Sequence, residues 1–409
     1  MLFAVRTIHE EKGESVMSVF FSPREVIWGT DVLGELSVRL RGFRKAAIII
    51  GASGSVVQNG SLERLCGTLQ LCGMSYVVID GIRADPTYKQ VCEKARILTE
   101  TRPDCLIALG GGSVIDAAKV MRLRHLYPDA DLYTLVNPQT FPTAAVERPL
   151  PLIAIPTTSG TGSEITGGAV ITDDETMTKL SISNPAIIPE LAVVDASFAA
   201  SMPRALAANT GMDALTHAIE AYLSIASSPM TDPLALQSSA ALLRAICSAV
   251  DGNAEAREQM HLYQAMAALA FGSDGLGVVH GIAHAMGARF HIPHGRCNAI
   301  LLPYALEYNA KKVPGRIAAL ARAAGICAED ERQLCSAYIE KIRAACQKLG
   351  IPATLQAEGI DWKELQSSLG TMFTFAQRDA CTYCNPRQVS LEDFTGLITC
   401  AYYGNAVTF

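Results

Sequence analysis

The sequence predicts an α/β half followed by an all-helical half. Three observations carry that expectation. Short buried-strand runs alternate with helical stretches up to about residue 200. Glycine- and hydroxyl-rich turns close several of those runs. Beyond them the strand signal fades into long alanine-, leucine- and methionine-rich helices. At 409 residues, two domains are the natural expectation. The boundary falls near Met202-Pro203, which gives an α/β domain over 1–202 and an all-helical domain over 203–409.

Taken in order, Ala46-Ala-Ile-Ile-Ile50 is a buried strand that runs into Gly51-Ala-Ser-Gly-Ser55. Ser75-Tyr-Val-Val-Ile79 is a second, closed by Asp80-Gly81. Cys105-Leu-Ile-Ala-Leu109 is a third, ending in Gly110-Gly-Gly-Ser113. Leu152-Ile-Ala-Ile155 is a fourth, ending in Pro156-Thr-Thr. Helical patterns cover 61–72 and 87–100. Alternation of this kind makes a parallel sheet with helices on both faces, and ligands bind at the carboxyl ends of its strands. In the second half, helical periodicity covers 210–225, 233–249, 256–271, 279–289, 315–325, 331–348 and 391–402.

Composition narrows the partners. Hydrophobic residues make up 49% of the chain and the mean hydropathy is +0.22, enough for a large core. A net charge of -6 and a pI near 5.8 argue against nucleic acid and anionic membrane surfaces. The most apolar stretch, 262–286, carries Asp274, His280 and His284, so it reads as buried helix around a site and not as a membrane span. The segment Met1 to Gly13 shows no signal-peptide core. The 12 cysteines are scattered. Cys381 and Cys384 have the one CxxC spacing, and no second pair accompanies them to complete a zinc site. Reduced thiols and a cytoplasmic location are expected.

Two motifs in the first half suit a phosphate. Gly110-Gly-Gly-Ser113, followed by Asp116 and Lys119, is a strand, a glycine turn and a helix start. Glycines let the backbone approach a ligand, and the first turn of a helix offers free N–H groups and partial positive charge. A plain βα turn needs fewer glycines. The pattern is not the GxGxxG fingerprint of dinucleotide folds. The second motif, Pro156-Thr-Thr-Ser-Gly-Thr-Gly-Ser-Glu164, packs hydroxyls and glycines into the end of another strand, where it can share the ligand.

The second half concentrates ligand-type side chains. Of the 8 histidines, 6 lie between residues 217 and 294. Asp213-Ala-Leu-Thr-His217 and His280-Gly-Ile-Ala-His284 each place two such side chains one helical turn apart, and Pro293-His294 follows. Taken singly, each is an ordinary core residue. Together they point to a divalent cation. Histidines with one carboxylate suit Zn²⁺ or Fe²⁺ better than Mg²⁺ or Ca²⁺.

Four ordered motifs carry a resemblance: Gly110-Gly-Gly-Ser-x-x-Asp-x-Ala-Lys119; Pro156-Thr-Thr-x-Gly-Thr-Gly-Ser-Glu164; Gly211-Met-Asp-Ala-Leu-Thr-His-Ala-Ile-Glu220; and Gly277-x-x-His-x-x-x-His-x-x-Gly287 through Pro293-His-Gly295. They resemble the iron-containing (group III) alcohol dehydrogenases over nearly the whole chain, from a strand-helix opening near 20–42 to Asn385-Pro386-Arg387 near the end. The resemblance implies a dehydroquinate synthase-like fold, with a dinucleotide-binding α/β domain and a helical metal-binding domain. It implies that Asp213, His217, His280 and His294 hold Fe²⁺ (or Zn²⁺), and that His284 passes protons. The cofactor would meet Gly110, Gly111, Gly112, Ser113 and Asp116, together with Thr157, Thr158, Thr161 and Lys179.

Two departures stand out. Many members end the first strand with Thr-Asp, whose carboxylate binds the adenosine ribose and repels a 2′-phosphate. Here the turn has no acid. Gly51, Ser53 and Ser55 resemble the NADPH-preferring branch, so NADPH is expected, with NADH the alternative. Asp274 stands where the family has small residues or asparagine. The expected reaction is reversible NAD(P)-linked reduction of a small aldehyde to a primary alcohol. Alternatives are polyol oxidation of the glycerol dehydrogenase type and an aldehyde with an anionic tail, for which Arg204 and Arg289 are candidates. A non-catalytic metal- or nucleotide-binding protein is the reading of another class. A homodimer or higher homo-oligomer is the expected assembly.

Overall fold

The structure, a computed structural model, describes residues 19–137, 139–142, 150–175 and 179–409. The segment read for a leader, Met1 to Gly13, lies outside them. Among the described residues, Phe21–Met202 and Pro203–Phe409 form two compact units.

The first unit is built on a six-stranded parallel sheet. Its strands are β1 (Glu25–Gly29), β2 (Lys45–Gly51), β3 (Ser75–Ile82), β4 (Cys105–Gly110), β5 (Leu152–Pro156) and, after a hairpin of β6 (Gly168–Thr172) and β7 (Lys179–Ser183), β8 (Leu191–Asp195). The spatial order is β1-β8-β5-β4-β2-β3, and the β6–β7 hairpin is separate and antiparallel. Every residue of β4, β5 and β8 is buried, as a sheet covered on both faces requires. Alternation then sorts β2 between two cores. Ala47 and Ile49 join the core that holds the helix Gly112–Leu126. Ala46, Ile48 and Ile50 join the core that holds the helix Ser61–Leu71.

The strand order fixes where a ligand belongs. The chain steps outward from β2 to β3, then crosses back to place β4 on the other side of β2. That reversal opens a crevice at the carboxyl ends of β2 and β4. The two turns that stand there are Gly51–Ser55 and Gly110–Ser113.

The strands β6, β7 and β8 escaped the sequence reading, whereas β1 falls within the strand-helix opening near 20–42 that the resemblance includes. The five-residue β1 is an edge strand whose Trp28 is exposed, so it lacks the apolar run of an interior strand. Its end is tied to β8 by Asp195, whose carboxylate accepts from the backbone N–H groups of Asp31, Val32 and Leu33 and from Ser197.

Lys119 is fully buried in the helix Gly112–Leu126. Its ammonium donates to Ser163 Oγ (3.0 Å), the Thr166 carbonyl (2.8 Å) and the Gly168 carbonyl (2.6 Å). Asp116, one turn earlier, accepts from Ser163 Oγ (2.5 Å) and from the Val170 N–H (2.9 Å). These two side chains pin the threonine-rich loop to the glycine-turn helix. Lys119→Met leaves buried acceptors without a donor, and it should destabilise the first unit by about 3 kcal/mol, measured by chemical unfolding.

The second unit is helical: Arg204–Leu223, Asp232–Val250, Ala254–Asp274, Val278–Phe290, His294–Ala310, Pro314–Ala323, Glu331–Leu349, Trp362–Arg378 and Leu391–Tyr403 are its long helices. The sequence reading missed two of them, His294–Ala310 and Trp362–Arg378. From Gly211 to Leu223 the first is buried on every side, which is the mark of a central core helix. Asp232–Val250 is long and apolar enough to cross a membrane by composition, yet 61% of it is buried inside this unit. No disulfide joins the cysteines among the described residues.

Asp274 ends the helix Ala254–Asp274. It is buried, and burial pushes its carboxyl up to about 7. A hydrogen bond from Thr231 and the charge of Arg316 oppose that shift, and the charge of Asp232 adds to it. Arg316 is itself held by Asp232 (2.6 Å). A carboxyl raised above its unfolded value stabilises the fold at low pH and loses that contribution as pH rises through the folded value. Asp274→Asn should therefore be more stable than the parent above pH about 7, with the advantage vanishing near pH about 4. Thermal unfolding of both proteins across that window measures it.

Candidate metal centre and cofactor turns

In the first unit the two predicted motifs meet. Gly110 ends β4, Gly111 is the N-cap and Gly112 opens the helix. That N-terminus has neither a side-chain cap nor an acidic residue in its first turn. The helices opened by Thr87, Asp131, Asn253, Asp330, Asp361 and Ser390 each have a side-chain cap. Its first N–H groups are left for an external anion. A Cβ on Gly111 would stand 3.2 Å from Thr158, and one on Gly112 would stand 2.8 Å from Thr161. Only glycine lets the threonine loop close on the turn. Thr157 N–H donates to the Gly110 carbonyl at 3.0 Å. In the turn after β2, Ser53 and Ser55 hydroxyls lie 3.1 Å apart and exposed. Lys179, on the β6–β7 hairpin, pairs with Asp85 at 2.6 Å. Such a half-exposed pair is weak enough to be exchanged for a phosphate.

In the second unit the helix Arg204–Leu223 carries Asp213 and His217, Val278–Phe290 carries His280 and His284, and His294 opens the next helix. Ligand atoms of Asp213, His280 and His294 converge. Asp213 Oδ1 lies 3.8 Å from His280 Nε2 and 3.5 Å from His294 Nε2. A tetrahedral ion with bonds of about 2.1 Å separates neighbouring ligand atoms by about 3.4 Å. The His217 ring stacks on His280, with centroids 4.6 Å apart. Burial, with His217, His294 and His284 adjacent, holds His280 well below the usual histidine range, so it is the neutral, ligating form. The residues fit a divalent ion with nitrogen and oxygen ligands.

Close backbone approach makes this possible. A Cβ on Gly295 would lie 2.1 Å from the Asn209 carbonyl, and one on Gly281 would lie 1.8 Å from Thr382 Oγ1. The first glycine seats the His294 helix on the Asp213 helix. The second seats the His280 helix on the segment Ala380–Tyr383.

The orientation of His280 comes from Glu220, one turn beyond His217. Glu220 Oε2 accepts from His280 Nδ1 at 2.6 Å, and Oε1 accepts from the Val279 N–H at 2.7 Å. Asn385 Oδ1 accepts from the Val278 N–H at 3.2 Å. The helix Val278–Phe290 has no cap of its own, and these two remote side chains supply it. Burial pushes the Glu220 carboxyl up to about 8, against the backbone N–H groups of Val279, Gly277 and His280. With Nδ1 spent on Glu220, His280 presents Nε2 to the centre.

His284 takes a different partner. Its Nδ1 lies 2.7 Å from Asp379 Oδ2. Burial would raise the Asp379 carboxyl, but the hydrogen bond and charge of His284 outweigh it and hold it below the usual range. Cys381 lies beside this pair. Burial and Asp379 push its thiol well above the ordinary range, so it stays protonated. Arg204 and Arg289, the candidates for an anionic substrate, are ion-paired with Asp251 and Glu364.

Residues 23–196 match the family described as iron-containing alcohol dehydrogenase, and residues 207–402 match that family's C-terminal domain. The chain belongs to the iron-containing alcohol dehydrogenases. This member is 38% identical over 393 residues to an NADPH-dependent butanol dehydrogenase of Clostridium saccharobutylicum, covering 96% of this chain and 100% of that one. It is 35% identical to the lactaldehyde reductase of Escherichia coli K12, covering 92% and 98%. The alcohol dehydrogenase from Oenococcus oeni has the same fold, with a TM-score of 0.88 at 31% identity, covering 94% and 100%.

Within this family member, the sequence reading had assigned no role to Glu220, Asn298 or Asp379. Glu220 and Asn298 follow His217 and His294 by one helical turn, so the spacing that found the ligands could have found them too. Asp379 has no such signal, being 95 residues from His284. Glu220→Gln keeps the shape but weakens the hold on the His280 N–H. It should lower metal affinity by about 10–100-fold, read by competition with a chromogenic chelator.

Proposed function

We propose that this iron-containing alcohol dehydrogenase reversibly reduces short, uncharged aldehydes to primary alcohols, with NADPH as its preferred cofactor and Fe²⁺ as its metal. The observation that carries the reading is the convergence of Asp213 Oδ1, His280 Nε2 and His294 Nε2 in a buried centre.

A divalent ion held there supplies Lewis acidity, and a bound nicotinamide supplies the hydride. The protein's own groups do the rest. Asp213, His217, His280 and His294 hold the ion, and Glu220 fixes the His280 ring. Asp379 engages Nδ1 of His284 and leaves Nε2 to hold or deliver the proton that the alcohol oxygen needs. Gly110 to Ser113 offer N–H groups to the cofactor's pyrophosphate, with Thr157, Thr158 and Thr161 packed beside them. Asp116 supports that turn through Ser163.

The preference for NADPH rests on the turn after β2. Gly51, Ser53 and Ser55 present hydroxyls and no carboxylate, so nothing there repels a 2′-phosphate. The relative named an NADPH-dependent butanol dehydrogenase supports the same choice and a short substrate. Arg204 and Arg289 are surface ion pairs with Asp251 and Glu364, so neither by itself favours an anionic tail on the substrate.

Consumption of NADPH with a panel of short aldehydes, after chelation and after return of Fe²⁺ or Zn²⁺, tests the assignment. Metal-stripped protein should be inactive and regain turnover with the ion. His280→Ala should lose activity by about a thousandfold or more while remaining folded. Near-parental turnover in stripped His280→Ala would refute the metal role. Ser53→Asp should shift the kcat/KM ratio toward NADH by about tenfold or more, because the new carboxylate repels the 2′-phosphate.

A further inference from the structure

We propose that Asn298 is a built-in occupant of the metal-free centre: the two hydrogens of its side-chain NH₂ take lone pairs of Asp213 Oδ1 and His280 Nε2 that the ion takes, and so hold these ligands in binding geometry beforehand. The proposal rests on reading Asp213, His280 and His294 as metal ligands.

Asn298 is one turn beyond His294 on the same helix and is fully buried. Its Nδ2 donates to Asp213 Oδ1 at 2.8 Å. The same nitrogen stands 3.1 Å from His280 Nε2 and 3.2 Å from His294 Nε2. These are the three atoms that converge. Because His280 Nδ1 is spent on Glu220, its Nε2 is a bare acceptor. Two acceptors, Asp213 Oδ1 and His280 Nε2, stand 3.8 Å apart in a buried site and repel one another. A donor group placed between them removes that penalty. At the other end of the amide, Oδ1 is buried and accepts no hydrogen bond. The amide is thus turned to satisfy the ligands at the expense of its own oxygen. An ordinary packing asparagine would satisfy both ends.

The consequence is a linkage. A group that stabilises only the metal-free state makes that state harder to leave, so it weakens the apparent metal affinity while keeping the ligands ordered. Removing it should damage the metal-free protein and spare the loaded one.

The test is thermal unfolding of the full chain, stripped by chelator or loaded with zinc, together with a competitive zinc titration. Zinc should raise the midpoint of the parent, and if it does not, the metal-site reading fails first. In Asn298→Ala the stripped midpoint should fall by about 3–6 °C, with the loaded midpoint nearly unchanged and zinc bound about tenfold tighter. Asn298→Asp, with the same shape but an added charge and no donor, should fall further when stripped and be restored by zinc. A variant that folds only with zinc is the same result in its extreme form. Equal losses in both states, no loss in the stripped state, or weaker zinc binding would overturn the proposal.

Discussion

The second unit depends on one buried carboxylate. Glu220 is held in a core helix and accepts from the first N–H groups of the next ligand-bearing helix as well as from the ring of His280. Both tasks follow from one fact: a pair of acceptor oxygens is most useful where helix N–H groups and an imidazole N–H converge. The cap sets the start of the helix Val278–Phe290, and the ring contact sets the rotation of its first histidine. Since His284 is one turn further on, its position follows from the same anchor. A Cβ on Gly277 would stand 2.6 Å from Glu220 Oε1, so the sequence keeps that approach open.

The first unit is governed by topology. Once β4 crosses back beside β2, the two turns at their carboxyl ends must face one crevice. The chain invests its glycines and hydroxyls there. It also invests a buried lysine, whose pKa burial lowers to about 8, the nearby carboxylates of Asp116 and Glu164 limiting the drop. Lys119 and Asp116 are conspicuous in the motif as candidate ligand contacts. Their observed bonds go to the protein, and they fix the threonine-rich loop and the hairpin against the glycine-turn helix.

Much of this was legible in the sequence, and the reasons are specific. The interior strands β2, β4 and β5 were visible because burial on both faces forces continuous apolar runs, and the edge strand β3 was visible through its Tyr76-Val-Val-Ile79 run. The edge strand β1 entered only through the resemblance, because Glu25 and an exposed Trp28 leave it no continuous apolar run, and the interior β8 was passed over although Leu191 to Val194 is apolar. The helix His294–Ala310 was hidden by its proline and by a nearly all-round buried surface that erases periodicity. Local spacing exposed Asp213, His217, His280 and His284. It could not expose Asp379 or Asn385, which reach the site only through tertiary packing of a segment some 95 to 107 residues away.

Asp213, His280 and His294 converge, with the His217 ring stacked on His280, and an ion held by these four would have nitrogen and oxygen ligands alone. A second set of ligand-type groups, His284, Asp379 and Cys381, lies in the same unit and includes a sulfur. X-ray absorption of the iron-loaded protein separates them most directly. The account predicts a first shell of nitrogen and oxygen atoms alone, at about 2.0–2.2 Å. A sulfur neighbour at about 2.3 Å would contradict it.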